Sequence, residues 1–176
     1  TGEVSEKNFI ASKNLYFTND VSKLKISNFI IVTVPTPIKK NFEPDFKYLK
    51  NASKLISKNI KKNDIVVYES TVYPGLTEEI CIPMIERNDF KLNEHFYCGY
   101  SPERINPGDK SHKLKDIIKV VSGSNNHALA MVDELYSSII QAGIHRAPSI
   151  KVAEAAKVIE NCQRDLNISF VNELSM

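Results

Sequence analysis

Short apolar runs that alternate with helical patterns constrain this chain more than any other feature. Phe29-Ile30-Ile31-Val32-Thr33-Val34 is a near-continuous β-branched run, the pattern of a strand buried on both faces. Residues Asp45 to Asn59 follow with Phe46, Leu49, Ala52 or Ser53, and Ile56 at helical spacing, and Asp45 near the start complements the helix dipole. Asp64 to Glu69 reads as the next strand and Leu76 to Glu86 as a helix that Pro83 should kink. His95 to Gly99, Ile117 to Val121 and Ile144 to Ala147 read as further strands. Ala128 to Ile140 reads as an amphipathic helix capped by Asn125 or Asn126, and a last helix starts near Ser149. The lead segment is less regular, with a short helix near Ser5 to Ala11, a stub at Leu15 to Phe17 and a helical turn at Val21 to Leu24. Strand alternating with helix predicts an α/β fold, a doubly wound parallel sheet with right-handed crossovers.

In such sheets ligands bind beyond the carboxyl ends of the strands, and three strands here end in loops of distinctive chemistry. Val34-Pro35-Thr36-Pro37 is a stiff corner that offers a hydroxyl. Glu69-Ser70-Thr71-Val72-Tyr73-Pro74-Gly75 offers adjacent hydroxyls before a Pro-Gly turn. Tyr100-Ser101-Pro102-Glu103-Arg104-Ile105-Asn106-Pro107-Gly108 presents a carboxylate, a guanidinium and an amide between two prolines, each of which fixes its own φ and restricts the residue before it. Together they predict a pocket lined by hydroxyls, one carboxylate and one guanidinium. The last helix adds a fourth element. Val152, Ala155, Ala156, Ile159, Leu166 and Phe170 form its apolar face, at about 100° per residue. Lys157, Asn161 and Arg164 fall at i, i+4 and i+7 on the opposite side. Such a stripe is most often a solvated face, but Asn is a poor choice in an exposed helix interior. A Lys and an Asn one turn apart can donate jointly to a developing oxyanion.

Composition narrows the remaining classes. The 176 residues carry a net charge of +2, with lysines dispersed, which gives no nucleic-acid footprint. No apolar stretch reaches the roughly 20 residues of a membrane span, and the N-terminus has no signal pattern. Cys81, Cys98 and Cys162 are odd in number and far apart, and the four His residues lack ligand spacing. We therefore expect no disulfide framework, no metal and a cytoplasmic location. The chain begins on Thr and stops at Met176 inside a helical pattern, so it reads as a fragment.

The segments Val32 to Pro37, Tyr68 to Gly75, Gly99 to Gly108 and Ser149 to Asn161 together resemble the UDP-glucose/GDP-mannose dehydrogenase family, in particular its bacterial UDP-N-acetylhexosamine 6-dehydrogenases. The resemblance covers nearly everything from Phe29 onward. It implies a Rossmann-like domain over residues 1–148, lacking the first βαβ unit, and then the start of a long central helix over residues 149–176 that pairs subunits in a homodimer. It implies NAD as cofactor, a UDP-sugar as substrate, and oxidation of the C6 hydroxyl to a carboxylate in two hydride transfers, for bacterial polysaccharide synthesis. Pro35, Thr36, Ser70, Thr71 and Glu103 would line NAD, and Thr71 would also order a water at the reacting carbon. Glu103 would activate the hydrolytic water, and Lys157 with Asn161 would stabilise the oxyanions. Glu103, Arg104, Ile105, Asn106 and Pro107 would wrap the substrate, together with Lys157, Asn161 and, by position alone, Arg164.

The chain also departs from the family pattern. Its six glycines nowhere take the spacing G-x-G-x-x-G, so the pyrophosphate lacks its usual cradle. None of the three cysteines stands in the catalytic context of the family, and Cys98 reads as a small buried residue. Without that thiolate the second oxidation has no nucleophile, so the 176 residues alone should not complete the reaction. The alternatives are a UDP-glucose 6-dehydrogenase and an inactive binding or dimerisation module. The residues after Glu103 favour the N-acetylhexosamine branch and leave gluco or galacto configuration open.

Overall fold

The computed structural model of the protein describes residues 6–104 and 114–176. Its element order is α1 (Glu6–Ala11), a 3₁₀ turn (Val21–Ile26), β1 (Phe29–Val32), α2 (Lys47–Asn59), β2 (Ile65–Tyr68), a π-helical turn (Thr77–Cys81) continuing into α3 (Ile82–Ile85), β3 (Tyr97–Tyr100), a 3₁₀ turn (Leu114–Asp116), β4 (Lys119–Gly123), α4 (Asn126–Ser137), β5 (Ile144–Arg146) and α5 (Ile150–Ser175). The stub expected at Leu15 to Phe17 forms no regular element.

Side-chain alternation along the central strands explains why helices cover both faces of the sheet. Val66 and Tyr68 enter one core with Ile30, Val32, Cys98 and Tyr100, covered by α2, α3 and the start of α5. Ile65 and Val67 enter a second core with Val121, Val132, Tyr136 and Ile140, on the α4 side. Burying each such side chain stabilises the fold by about 1.5–3 kcal/mol. Local chemistry sets the helix starts. Asp45 Oδ1 accepts the Lys47 N–H at 2.9 Å, Asn125 Oδ1 accepts that of Ala128 at 2.8 Å, and Ser149 Oγ accepts that of Val152 at 3.2 Å. Asn125 and Ser149 are N-caps, worth about 1 kcal/mol each, whereas Asp45 lies one residue before the N-cap Phe46.

Three expectations need correction. First, the sheet is mixed rather than wholly parallel. Its strands lie in the order β1-β2-β3-β4-β5. The β1-β2, β2-β3 and β4-β5 pairs are parallel, but β4 runs antiparallel to β3 through Gly99 opposite Gly123 and Tyr100 opposite Ser122. A Cβ on Gly99 would lie 2.7 Å from the Ser122 carbonyl oxygen and 2.9 Å from Val132 Cγ2, so this close approach requires glycine.

Second, β1 is buried on only one face. Ile30 and Val32 are enclosed, but Ile31 is 44% exposed, because β1 is an edge strand and α4 lies over β3, β4 and β5. Third, the interruption expected at Pro83 falls one turn earlier. Pro83 begins α3, and the upstream turn widens so that the Ile82 N–H reaches back to the Thr77 carbonyl.

The apolar face of α5 is exposed rather than docked on the domain. Val152, Ile159, Leu166 and Phe170 are 47%, 67%, 70% and 64% exposed, whereas Ile150, Ala153 and Glu154 are buried. The docked stripe is Ile150, Ala153, Glu154 and half-buried Lys157 at i, i+3, i+4 and i+7. Of the polar stripe, Lys157 borders the docked face, while Asn161 one turn on is exposed.

Candidate functional site

Because β1, β2 and β3 are parallel, their three carboxyl-terminal loops meet at one edge of the sheet. Hydrogen bonds join them. Ser70 Oγ donates to the Val34 carbonyl at 2.6 Å, and the Tyr100 hydroxyl donates to the Ser70 carbonyl at 3.1 Å. Ser101 Oγ donates to the Val120 carbonyl at 2.7 Å, tying the Glu103 loop to β4. The second loop turns at Gly75, whose φ of +106° is open to few other residues. Its N–H donates to Glu154 Oε2 at 2.5 Å, and the Thr77 N–H donates to Glu154 Oε1 at 3.0 Å. A buried carboxylate of α5 thereby holds the loop that carries Ser70 and Thr71. Burial raises its pKa, while the bonds from Thr77 and Gly75 oppose that shift.

The Glu103 loop is held from two sides. Arg104 pairs with Glu160 of α5, and Arg164 reaches the same carboxylate at 3.1 Å. On the other side Lys119 Nζ lies 3.4 Å from the Pro102 carbonyl and 3.0 Å from Glu69 Oε1. The Tyr136 hydroxyl donates to that same Glu69 oxygen at 2.5 Å. Antiparallel β4 starts where β3 ends, which delivers Lys119 to this edge.

Lys157, on the docked stripe of α5, is half-buried. Burial holds its pKa below the ordinary lysine range. Lys119 pushes the same way, whereas Glu103, Glu69 and Glu160 oppose the shift. A partly desolvated ammonium facing a carboxylate can donate to developing negative charge while the carboxylate accepts a proton from water. Asn161 is exposed one turn further along α5.

Among the described residues Thr36 Oγ1, like Thr77 Oγ1, is buried without a protein hydrogen-bond partner, so it keeps capacity for a further bond. The Ser70 hydroxyl spends its proton on Val34 and keeps acceptor capacity only. Thr71 is exposed beside it. This edge therefore fits a polar dinucleotide laid across the first two loops, between Pro35 and Thr71.

The structure thus brings Thr36, Ser70, Thr71, Glu103, Arg104 and Lys157 to one region. Ile105, Asn106 and Pro107 lie outside the described residues. Arg104 and Arg164 share Glu160, so substrate contact would require them to exchange or share that partner. The sequence reading passed over Glu69, Lys119, Tyr136, Glu154 and Glu160. A lysine within the apolar β4 run and a glutamate inside the docked stripe of α5 were the available signals, since such charges are rarely buried unpaired.

Residues 3–140 match the UDP-glucose/GDP-mannose dehydrogenase family, NAD binding domain. The chain is 54% identical over its whole length to a UDP-N-acetyl-D-glucosamine 6-dehydrogenase of Pseudomonas aeruginosa and covers 42% of that protein. It is 52% identical over its whole length to Protein CapL of Staphylococcus aureus, again covering 42%. Among solved structures, a UDP-D-ManNAc dehydrogenase from Pyrococcus horikoshii superposes with a TM-score of 0.86 at 30% identity, over 95% of this chain and 40% of that one. A GDP-mannose dehydrogenase of Pseudomonas aeruginosa, solved as a ternary complex, gives 0.78 at 28% identity, over 89% and 37%. The chain therefore spans about two fifths of the length of these relatives. Within that span, the match over residues 3–140 and the strand-end loops agree: the chain belongs to the UDP-glucose/GDP-mannose dehydrogenase family and carries its NAD binding domain.

Proposed function

We propose that this chain is the part of an NAD-dependent nucleotide-sugar 6-dehydrogenase that holds the adenylate-distal cofactor loops, the substrate loop and the oxyanion-stabilising helix. The reaction is oxidation of the C6 hydroxyl of a UDP-N-acetylhexosamine to the uronic acid, which serves bacterial surface polysaccharides in the cytoplasm. The carrying observation is the convergence of the Thr36, Ser70-Thr71 and Glu103 loops at one sheet edge, joined by hydrogen bonds and tied to α5 through Arg104 and Glu160, with half-buried Lys157 on the same helix. The 54% identity to a UDP-N-acetyl-D-glucosamine 6-dehydrogenase supports the N-acetylhexosamine branch over UDP-glucose.

Bound NAD would supply the hydride acceptor, with Pro35, Thr36, Ser70 and Thr71 along it. Thr71 orders a water with its hydroxyl. Lys157 donates to the substrate oxygen as negative charge develops there, and Asn161 joins it when substrate covers that turn of α5. Glu103 takes a proton from the water that attacks in the hydrolytic step. The exposed face of α5, Val152 through Phe170, supports a homodimer paired through this helix.

The test is a chimaera in which these 176 residues replace the matching segment of the P. aeruginosa relative, assayed with UDP-N-acetylglucosamine, UDP-N-acetylgalactosamine and UDP-glucose. We expect NAD reduction with an N-acetylhexosamine, and uronate formed with two NADH per sugar. A folded chimaera that binds NAD but oxidises none of the three sugars would contradict the proposal.

A further inference from the structure

We propose that Lys119 is a positioning residue of this site, acting through Glu69 and Pro102 to seat the Glu103 loop opposite Lys157. The inference rests on the roles assigned above to Glu103 and Lys157. Lys119 is only 4% exposed, at the first position of a strand whose next two residues, Val120 and Val121, are core. A buried ammonium there is costly unless it is paired and hydrogen-bonded. It has three partners: Glu69 Oε1 at 3.0 Å, the Pro102 carbonyl at 3.4 Å, and the Tyr136 ring, with its centroid 5.1 Å away. Tyr136 closes the cluster by donating to the same Glu69 oxygen.

One link makes this more than a structural ion pair. Pro102 is the residue before Glu103, so the Lys119 contact fixes the base of the loop that presents the carboxylate. Glu103, Arg104 and Lys119 also line one small cavity of about 10 Å³, room for roughly one water. The charges that bear on Lys157 include Glu103 after β3, Lys119 on β4, Glu69 after β2 and Glu160 on α5. Lys119 is the positive member of that set, so its removal should favour the Lys157 ammonium.

The test uses this chain, with ¹⁵N-lysine NMR titration of Lys157 assigned by Lys157→Arg. Lys119→Met should raise the Lys157 pKa by roughly half a unit or more, and Lys119→Arg should return it to within about 0.2 unit of wild type. Where Lys119→Met fails to fold, the double variant Lys119→Met/Glu69→Gln removes both buried charges. Amide exchange at Glu103 and Arg104 should then accelerate at least ~10-fold. An unmoved Lys157 titration in folded Lys119→Met, or unchanged exchange in the double variant, overturns the proposal. Neither readout needs turnover. Loss of sugar oxidation in the otherwise unaltered chimaera would instead count against the dehydrogenase reading alone.

Discussion

Glu154 offers the sharpest quantitative prediction about how α5 is fastened to the domain. The side chain is 0% exposed and accepts the Gly75 N–H at 2.5 Å and the Thr77 N–H at 3.0 Å. Glu154→Ala removes both bonds and strands two buried donors. Hydrogen bonds to a charged group contribute about 1.5–3 kcal/mol each, but burying the carboxylate has its own cost, visible as the raised pKa. The net loss should be about 2–3 kcal/mol, which lowers a urea midpoint by about 1 M at an m-value near 2 kcal/mol/M.

The chain has no Trp, so far-UV circular dichroism is the suitable probe. The sign of the pH dependence follows from the direction of the shift. A carboxyl whose folded pKa is raised holds its proton more tightly folded than unfolded. Its contribution to stability is full below the unfolded value near 4.3 and is lost as pH rises through the folded value. The advantage of wild type over Glu154→Gln should therefore narrow as pH rises across that window. A Glu154→Ala midpoint within the equivalent of about 0.5 kcal/mol of wild type, or an advantage that widens with pH, would refute this reasoning.

Three further outcomes are expected. In the chimaera, Lys157→Met should lower kcat by about 10²–10³ with little change in KM, the pattern of a lost transition-state donor, measured by NADH formation. In native chain Cys162 is exposed while Cys81 and Cys98 are buried, and burial pushes the Cys81 thiol up to about 11. Iodoacetamide at pH 8 should therefore label Cys162 first, as peptide mass spectrometry would show. Gly75→Ala forces a side chain into φ +106° and puts its Cβ 2.7 Å from Glu79 Oε1, so thermal unfolding should show a loss of about 1 kcal/mol or more.

The element pattern was legible because the two central strands are apolar at every position and the helices carry their own caps. Ile65 to Tyr68 is buried throughout, Asn125 and Ser149 make the capping bonds their residue types announce, and Asp45 accepts the Lys47 N–H at the start of α2. The direction of β4 was not legible. Nothing local distinguishes an antiparallel partner, and the pairing of Gly99 with Gly123 and Tyr100 with Ser122 becomes visible only once the strands are in place. The docked face of α5 was not legible either. Its first turns dock through Ile150, small Ala153 and charged Glu154, while Val152, Ile159, Leu166 and Phe170 stay exposed, so counting hydrophobic side chains does not find it. Loop motifs gave the candidate site because its chemistry sits at strand ends. Lys119 and Glu69 escaped because a buried ion pair has no sequence signature beyond a charge among apolar residues.

The central claim is that Glu103 serves the hydrolytic step at a site shared with Lys157. Glu103→Gln in the chimaera, followed by stopped-flow NADH absorbance and quenched-flow analysis of uronate, tests it most directly. A rapid burst of NADH should be followed by uronate release slowed at least ~100-fold. Uronate release at the unsubstituted rate, from a folded protein with an unchanged burst, would contradict it.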